Sequence, residues 1–97
     1  MMPPKTSQNS EQAEVLALQV LGFLAADPER LQRFMDLSGL DVPAIRASAA
    51  DPAFLAGLLD HLLSDESLLL IFAEDHGLRP ERIQALRRNL PGATFDL

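Results

Sequence analysis

The chain has no cysteine, no tryptophan, no tyrosine and a single lysine, Lys5. Without cysteine there is neither a disulfide framework nor a thiolate metal site. There is no lysine beyond the N-terminal tail, no serine on a glycine-rich elbow and no phosphate-cradling glycine loop, so the usual signs of nucleophilic catalysis and nucleotide binding are missing. Basic charge is scarce as well. The net charge of −6 weighs against general binding to nucleic acid or to anionic membranes. No apolar run approaches the roughly 20 residues that span a bilayer. The N-terminus has no apolar segment before residue 13, which is not the pattern of a secretory signal. The expectation is a soluble cytoplasmic protein that is not an enzyme, with no catalytic residues, cofactor, metal or evident small-molecule ligand.

What is present is leucine and alanine, within a hydrophobic fraction of 47%. Both are strong helix formers, and 97 residues suffice for one domain with one core. Residues 1–9 are polar and proline-bearing, and a disordered tail is expected there. A first helix is expected from Ser10, as cap, to Ala26. A second opens at Asp27-Pro28 with Leu31, Phe34, Met35 and Leu37 as its buried stripe. A short third starts near Asp41 and is anchored by Leu40 and Ile45. Asp51-Pro52 opens a fourth with Phe54, Leu55, Leu58, Leu59, Leu62 and Leu63 at 3–4 spacing. Asp65 caps a fifth, in which Leu68 to Phe72 run unbroken before Gly77. Helices four and five are expected to be the central pair. The sixth runs from Pro80 through Ile83, Leu86 and Leu90 to Pro91-Gly92. In the tail over 91–97, Phe95 and Leu97 are expected to be able to dock on the body.

Shifted by 38 residues, the chain matches itself without a gap. Residues 21–47 and 59–85 are identical at nine of 27 positions, among them Asp27/Asp65, Phe34/Phe72, Gly39/Gly77 and Ile45/Ile83. Each of these pairs has a structural job as cap, core anchor or helix stop. The expected fold is therefore all-α, a six-helix orthogonal bundle of two sequence-similar three-helix units, 10–50 and 51–90, sharing one core. The mismatches matter too. Arg30, Gln32 and Arg33 of the first unit become Leu68, Leu70 and Ile71 in the second. Packing on the first unit is the simpler expectation for that face. Any part left open is a candidate surface for another protein or a second copy of the chain.

His61 lies beside Asp60 and one turn before Asp65, a spacing that could hold a metal. It aligns with Phe23, however, so a half-buried ring in an aromatic's place is expected. His76 precedes the terminating glycine and suits the negative helix end. Asp27, Asp51 and Asp65 read as helix caps, and Glu74-Asp75 as a solvated charge pair. The spacing of Ala73, Gly77, Leu78 and Ile83 is that of a helix-turn-helix, repeated at Met35, Gly39, Leu40 and Ile45. The would-be recognition helix over 79–90 carries Arg79, Arg82, Arg87 and Arg88 against Glu81 alone, so DNA contact is the alternative function. Two helices joined by a short glycine turn need the same anchors merely to pack, and the acidic total makes nucleic acid the weaker partner.

The segments LGFLAADPERLQRFMDLSGLD and DPAFLAGLLDHLLSDESLLLIFAEDHGL resemble a family of short, uncharacterised bacterial proteins known as a domain of unknown function. The resemblance covers residues 13–90. It implies a small bacterial helical protein and transfers no activity or site residue. The leading expectation is a protein–protein interaction or self-association module.

Overall fold

Four aspartates sit in extended backbone immediately before a helix, and each accepts a hydrogen bond from an amide of the first turn. The donors are Glu29 N to Asp27 at 3.0 Å, Ala44 N to Asp41 at 2.9 Å, Ala53 N to Asp51 at 3.0 Å and Leu68 N to Asp65 at 3.1 Å. Proline in the first turn preforms the start of four helices without losing an amide bond. Gly39 and Gly77 end two helices at φ of 76° and 64°, the left-handed conformation that glycine adopts without strain.

The computed structural model describes residues 5–92, with side chains from Ser10 onward. It is all-helical: α1 (Lys5–Ala25), α2 (Pro28–Ser38), α3 (Val42–Ser48), α4 (Pro52–Leu63), α5 (Glu66–His76) and α6 (Pro80–Arg87). The most extensive helix pair is α1 with α4. Ala13, Leu16, Ala17, Val20 and Leu24 of α1 meet a core that includes Leu55, Leu58, Leu59 and Leu62 of α4. The inward side of α5 adds Leu68, Leu69, Phe72 and Ala73, and the C-terminal region adds Ile83, Leu86 and Leu90. Phe34 and Ile45 are the buried anchors of α2 and α3. Each buried leucine is worth about 1.5–3 kcal/mol against exposure.

Three ring contacts link the first half of the chain to the second, one of them Phe34 edge-on to Phe54 at 6.2 Å and 72°. Phe23 meets Phe72 edge-on at 5.3 Å and 76°, and Phe34 meets His61 at 5.1 Å and 77°. The Arg30 guanidinium lies 4.3 Å over the Phe23 ring, a cation–π contact.

Several expectations are corrected. The central pair is α1 with α4, not α4 with α5, because α5 buries only one side of its apolar run. Helix α1 begins at Lys5, so residues 5–9 belong to it rather than to a tail; residues 1–4 and the expected docking of Phe95 and Leu97 lie outside the described residues. Ser10 is not a cap. It sits within α1, and its hydroxyl donates to the Asn89 carbonyl at 3.0 Å, tying the two ends of the domain together. Leu37 is exposed, since the buried stripe of α2 is centred on Phe34. Helix α6 ends at Arg87, where the amides of Asn89 and Leu90 turn to the carbonyls of Leu86 and Arg87 and tighten the last turn.

Candidate interaction surfaces

The residues singled out on α5 separate into two sets. Leu68 is 9% exposed and belongs to the core, which removes it from the candidate surface. It shares the inward side with Leu69 and Phe72, at i+1 and i+4, and those positions hold the helix on its neighbours. Leu70 and Ile71 point outward and are 51% and 42% exposed. Their exposed neighbours on α5 are Glu66, Ser67, Glu74 and Asp75, so the open apolar pair has an acidic rim.

The arginines proposed for DNA contact do not form one set. Arg87 is only 7% exposed. Its Nε and Nη2 donate to the two carboxylate oxygens of Asp60 at 2.6 and 3.0 Å, and Nη1 donates to the carbonyls of Leu90 and Pro91 at 3.1 and 3.2 Å. It is a structural clamp between α4 and the end of α6, not a free cation. Arg82 Nη2 donates to Gln12 Oε1 at 2.8 Å. Arg79, at the start of α6, and Arg88, just past its end, are exposed. Sequence spacing could not reveal the loss of Arg87, because its partner Asp60 lies 27 residues away on another helix.

His61 is half-buried against Phe34, in the place of an aromatic. Burial pushes its pKa below the ordinary 6.5; Asp65 opposes the shift and Arg33 adds to it. The ring of His76 stacks on Phe72 at 4.1 Å, and its Nδ1 lies 3.1 Å from the Phe72 carbonyl at the C-terminal end of α5. Among the described residues there is no group of three or more His, Asp or Glu side chains placed to hold a metal. No helix among them is long and apolar enough to cross a membrane.

A further surface lies on α1. Glu11, Val15, Leu18, Gly22 and Ala25 are exposed and follow one another at alternating spacings of four and three residues. Val15 and Leu18 are 55% and 46% exposed, and a Cβ added at Gly22 would meet no atom within 4 Å. Periodicity does not separate these residues from the core, because α1 carries two interleaved apolar stripes and spacing alone does not say which faces inward. The signal available in the sequence was the presence of both. On the flank of this stripe, Leu16, Gln19, Leu78, Arg82 and Leu86 help line an open groove of about 600 Å³ between α1 and α6. Leu37 and Val42, on either side of the Gly39 corner, are also exposed.

No curated protein and no solved structure matches the chain. A family model described as "Protein of unknown function (DUF3572)" matches residues 10–93, which spans all six helices apart from the first residues of α1. The chain belongs to this family of proteins of unknown function, DUF3572.

Proposed function

We propose that the chain is a non-enzymatic interaction module that docks another protein through the outer side of α5. The observation that carries the reading is the adjacent pair Leu70 and Ile71, half-exposed on a helix whose other large apolar residues are core. Its acidic rim of Glu66, Glu74 and Asp75, with no Lys or Arg on α5, suits a partner segment that carries leucine-like or aromatic residues among basic ones. The withdrawal of Arg87 into a clamp counts against DNA reading through 79–90.

The architecture belongs to the same proposal: two three-helix units related by the 38-residue shift. Helices α2 and α5 have the same limits after that shift, α3 and α6 start together, and α1 and α4 end together. The ring contacts Phe23–Phe72 and His61–Phe34 exchange into each other under the same shift, with nearly equal distances and angles. On this reading the second unit kept the helix frame of the first and converted Gln32 and Arg33 into the open pair Leu70 and Ile71.

The test is site-specific photo-cross-linking in cells that produce the protein, with the photoreactive residue at Leu70 and, as a control, at the more exposed Leu37. A discrete adduct with a basic protein at Leu70, absent at Leu37 and removed by Ile71→Arg, is expected. No discrete adduct at Leu70, the same adducts at both positions, or an adduct only with the chain itself would overturn the reading.

A further inference from the structure

Helix α1 buries one apolar stripe, Ala13, Leu16, Ala17, Val20 and Leu24, against the rest of the fold and leaves a second one open. We propose that the open stripe, centred on Leu18, is the surface on which two copies of this chain associate, with the two α1 helices antiparallel about a two-fold axis. The proposal is independent of the reading of α5.

Size complementarity is the first argument. A 4-3-4-3 spacing is that of a helix–helix seam. With Leu18 at the axis, antiparallel pairing sets Leu18 beside Leu18 of the second copy, Val15 over its Gly22, and Glu11 near its Ala25. A branched side chain thus enters where the facing helix has none. Gly22 costs about 1 kcal/mol relative to alanine in a helix interior, and nothing within the chain occupies the space above it. A close approach by a second helix gives that glycine a use.

Charge is the second argument. Glu11 and Glu14 are the only charged residues of α1 between Ser10 and Ala25, and both lie toward its N-terminal end. At the other end Arg30 covers Phe23 and pairs with Asp27 at 3.6 Å, so its charge is met within the chain. Antiparallel pairing keeps Glu11 and Glu14 apart from their counterparts in the second copy and opposes the helix dipoles favourably. Parallel pairing would set Glu11 on Glu11. The outer side of α5 lacks this property. Pairing it antiparallel with itself would set Glu66 against Glu74 and Asp75, and pairing it parallel would set each acid on its own copy. A second copy therefore fits α1 and not α5.

One helix against another lies below the standard interface of about 1,600 Å², so the dimer is a weak one and shows itself at high concentration. Light scattering during size exclusion, up to about 1 mM, covers that range. The expected mass rises from 10.6 kDa toward twice that value. Leu18→Arg should weaken association at least roughly 30-fold, the effect of removing a central contact, while helical circular dichroism and the melting temperature stay unchanged. Leu70→Arg should leave association intact. The absence of native cysteine allows a second test that does not depend on an arginine. Val15→Cys and Gly22→Cys variants, mixed under mild oxidation, should cross-link to each other in preference to themselves. A 10.6 kDa monomer throughout the range, loss of the dimer with Leu70→Arg but not with Leu18→Arg, or self-coupling of Val15→Cys in preference to the mixed pair would each overturn the proposal.

Discussion

Removing the Asp60 carboxylate tests whether the Arg87 clamp holds the end of the fold. In Asp60→Ala the guanidinium of Arg87 loses two charge-assisted acceptors, those at 2.6 and 3.0 Å, and keeps the carbonyls of Leu90 and Pro91. The arginine side chain is 9% exposed and that of Asp60 is 57% exposed. Breaking a fully buried pair costs about 3–5 kcal/mol, and breaking an exposed one about 0–1. Water that reaches the aspartate side will solvate part of the orphaned guanidinium, which places the loss between these limits, at about 2–3 kcal/mol. For a domain of this size that is a fall in melting temperature of roughly 10–20 °C. Urea denaturation followed by circular dichroism, alongside a thermal melt, measures both. Arg87→Met should be milder, because it leaves no buried charge and its unbranched chain can pack along the same path. A loss below about 0.5 kcal/mol for Asp60→Ala would refute the reasoning and class the pair with surface ion pairs. Greater damage from Arg87→Met than from Asp60→Ala would show that the arginine acts through its carbonyl bonds.

Three other predictions concern the same frame. The His61 pKa is lowered in the folded state, so the neutral ring is the form that fits; its contribution is complete above 6.5 and is lost as pH falls below 6.5 through the folded pKa. His61→Phe should abolish that loss, so denaturation at pH 7.5 and 5.5 should show the variant's advantage growing in acid; an advantage independent of pH would sink the idea. Gly77→Ala, at φ of 64°, should cost about 1–2 kcal/mol, whereas Gly57→Ala in α4, where a Cβ meets nothing within 4 Å, should add about 0.5–1 kcal/mol; equal signs in thermal melts would refute the distinction. Leu68→Arg should unfold the protein, because it buries an unpaired charge, while Leu70→Arg should leave its circular dichroism intact; folded Leu68→Arg protein would place that residue at the surface after all.

Helix starts and stops were legible in the sequence because their causes are local. Asp27, Asp51 and Asp65 act within three residues of themselves, and Gly39 and Gly77 act on their own backbone. The role of His61 was legible as well, through the Phe23 that stands in its place 38 residues earlier. Orientation was not. Leu68 and Leu70 are chemically identical and two residues apart, and only the neighbours of α5 decide that one is core and the other open. The same holds for Val15 and Leu16 on α1. Arg87 was misjudged because a helix read alone shows a charge and not its distant partner. The start of α1 was not legible because its first turn is polar and carries no acidic residue to mark it.

The three ring contacts between the halves bear on the order of events as the chain is made. Phe23 has its edge-on partner at residue 72, and Phe34 has its own at residues 54 and 61. Synthesis proceeds from the N-terminus, so the first half leaves the ribosome before any of these partners exists. Helices α1 and α2 can then pack on one another, but Phe34 and the α1 stripe of Leu16, Val20 and Leu24 lack the second-half residues that complete their cover. The packing of Phe23 is complete only once α5 is in place, and a chain interrupted near the Asp51 boundary is expected to be a substrate for chaperones or proteases rather than a half-sized domain.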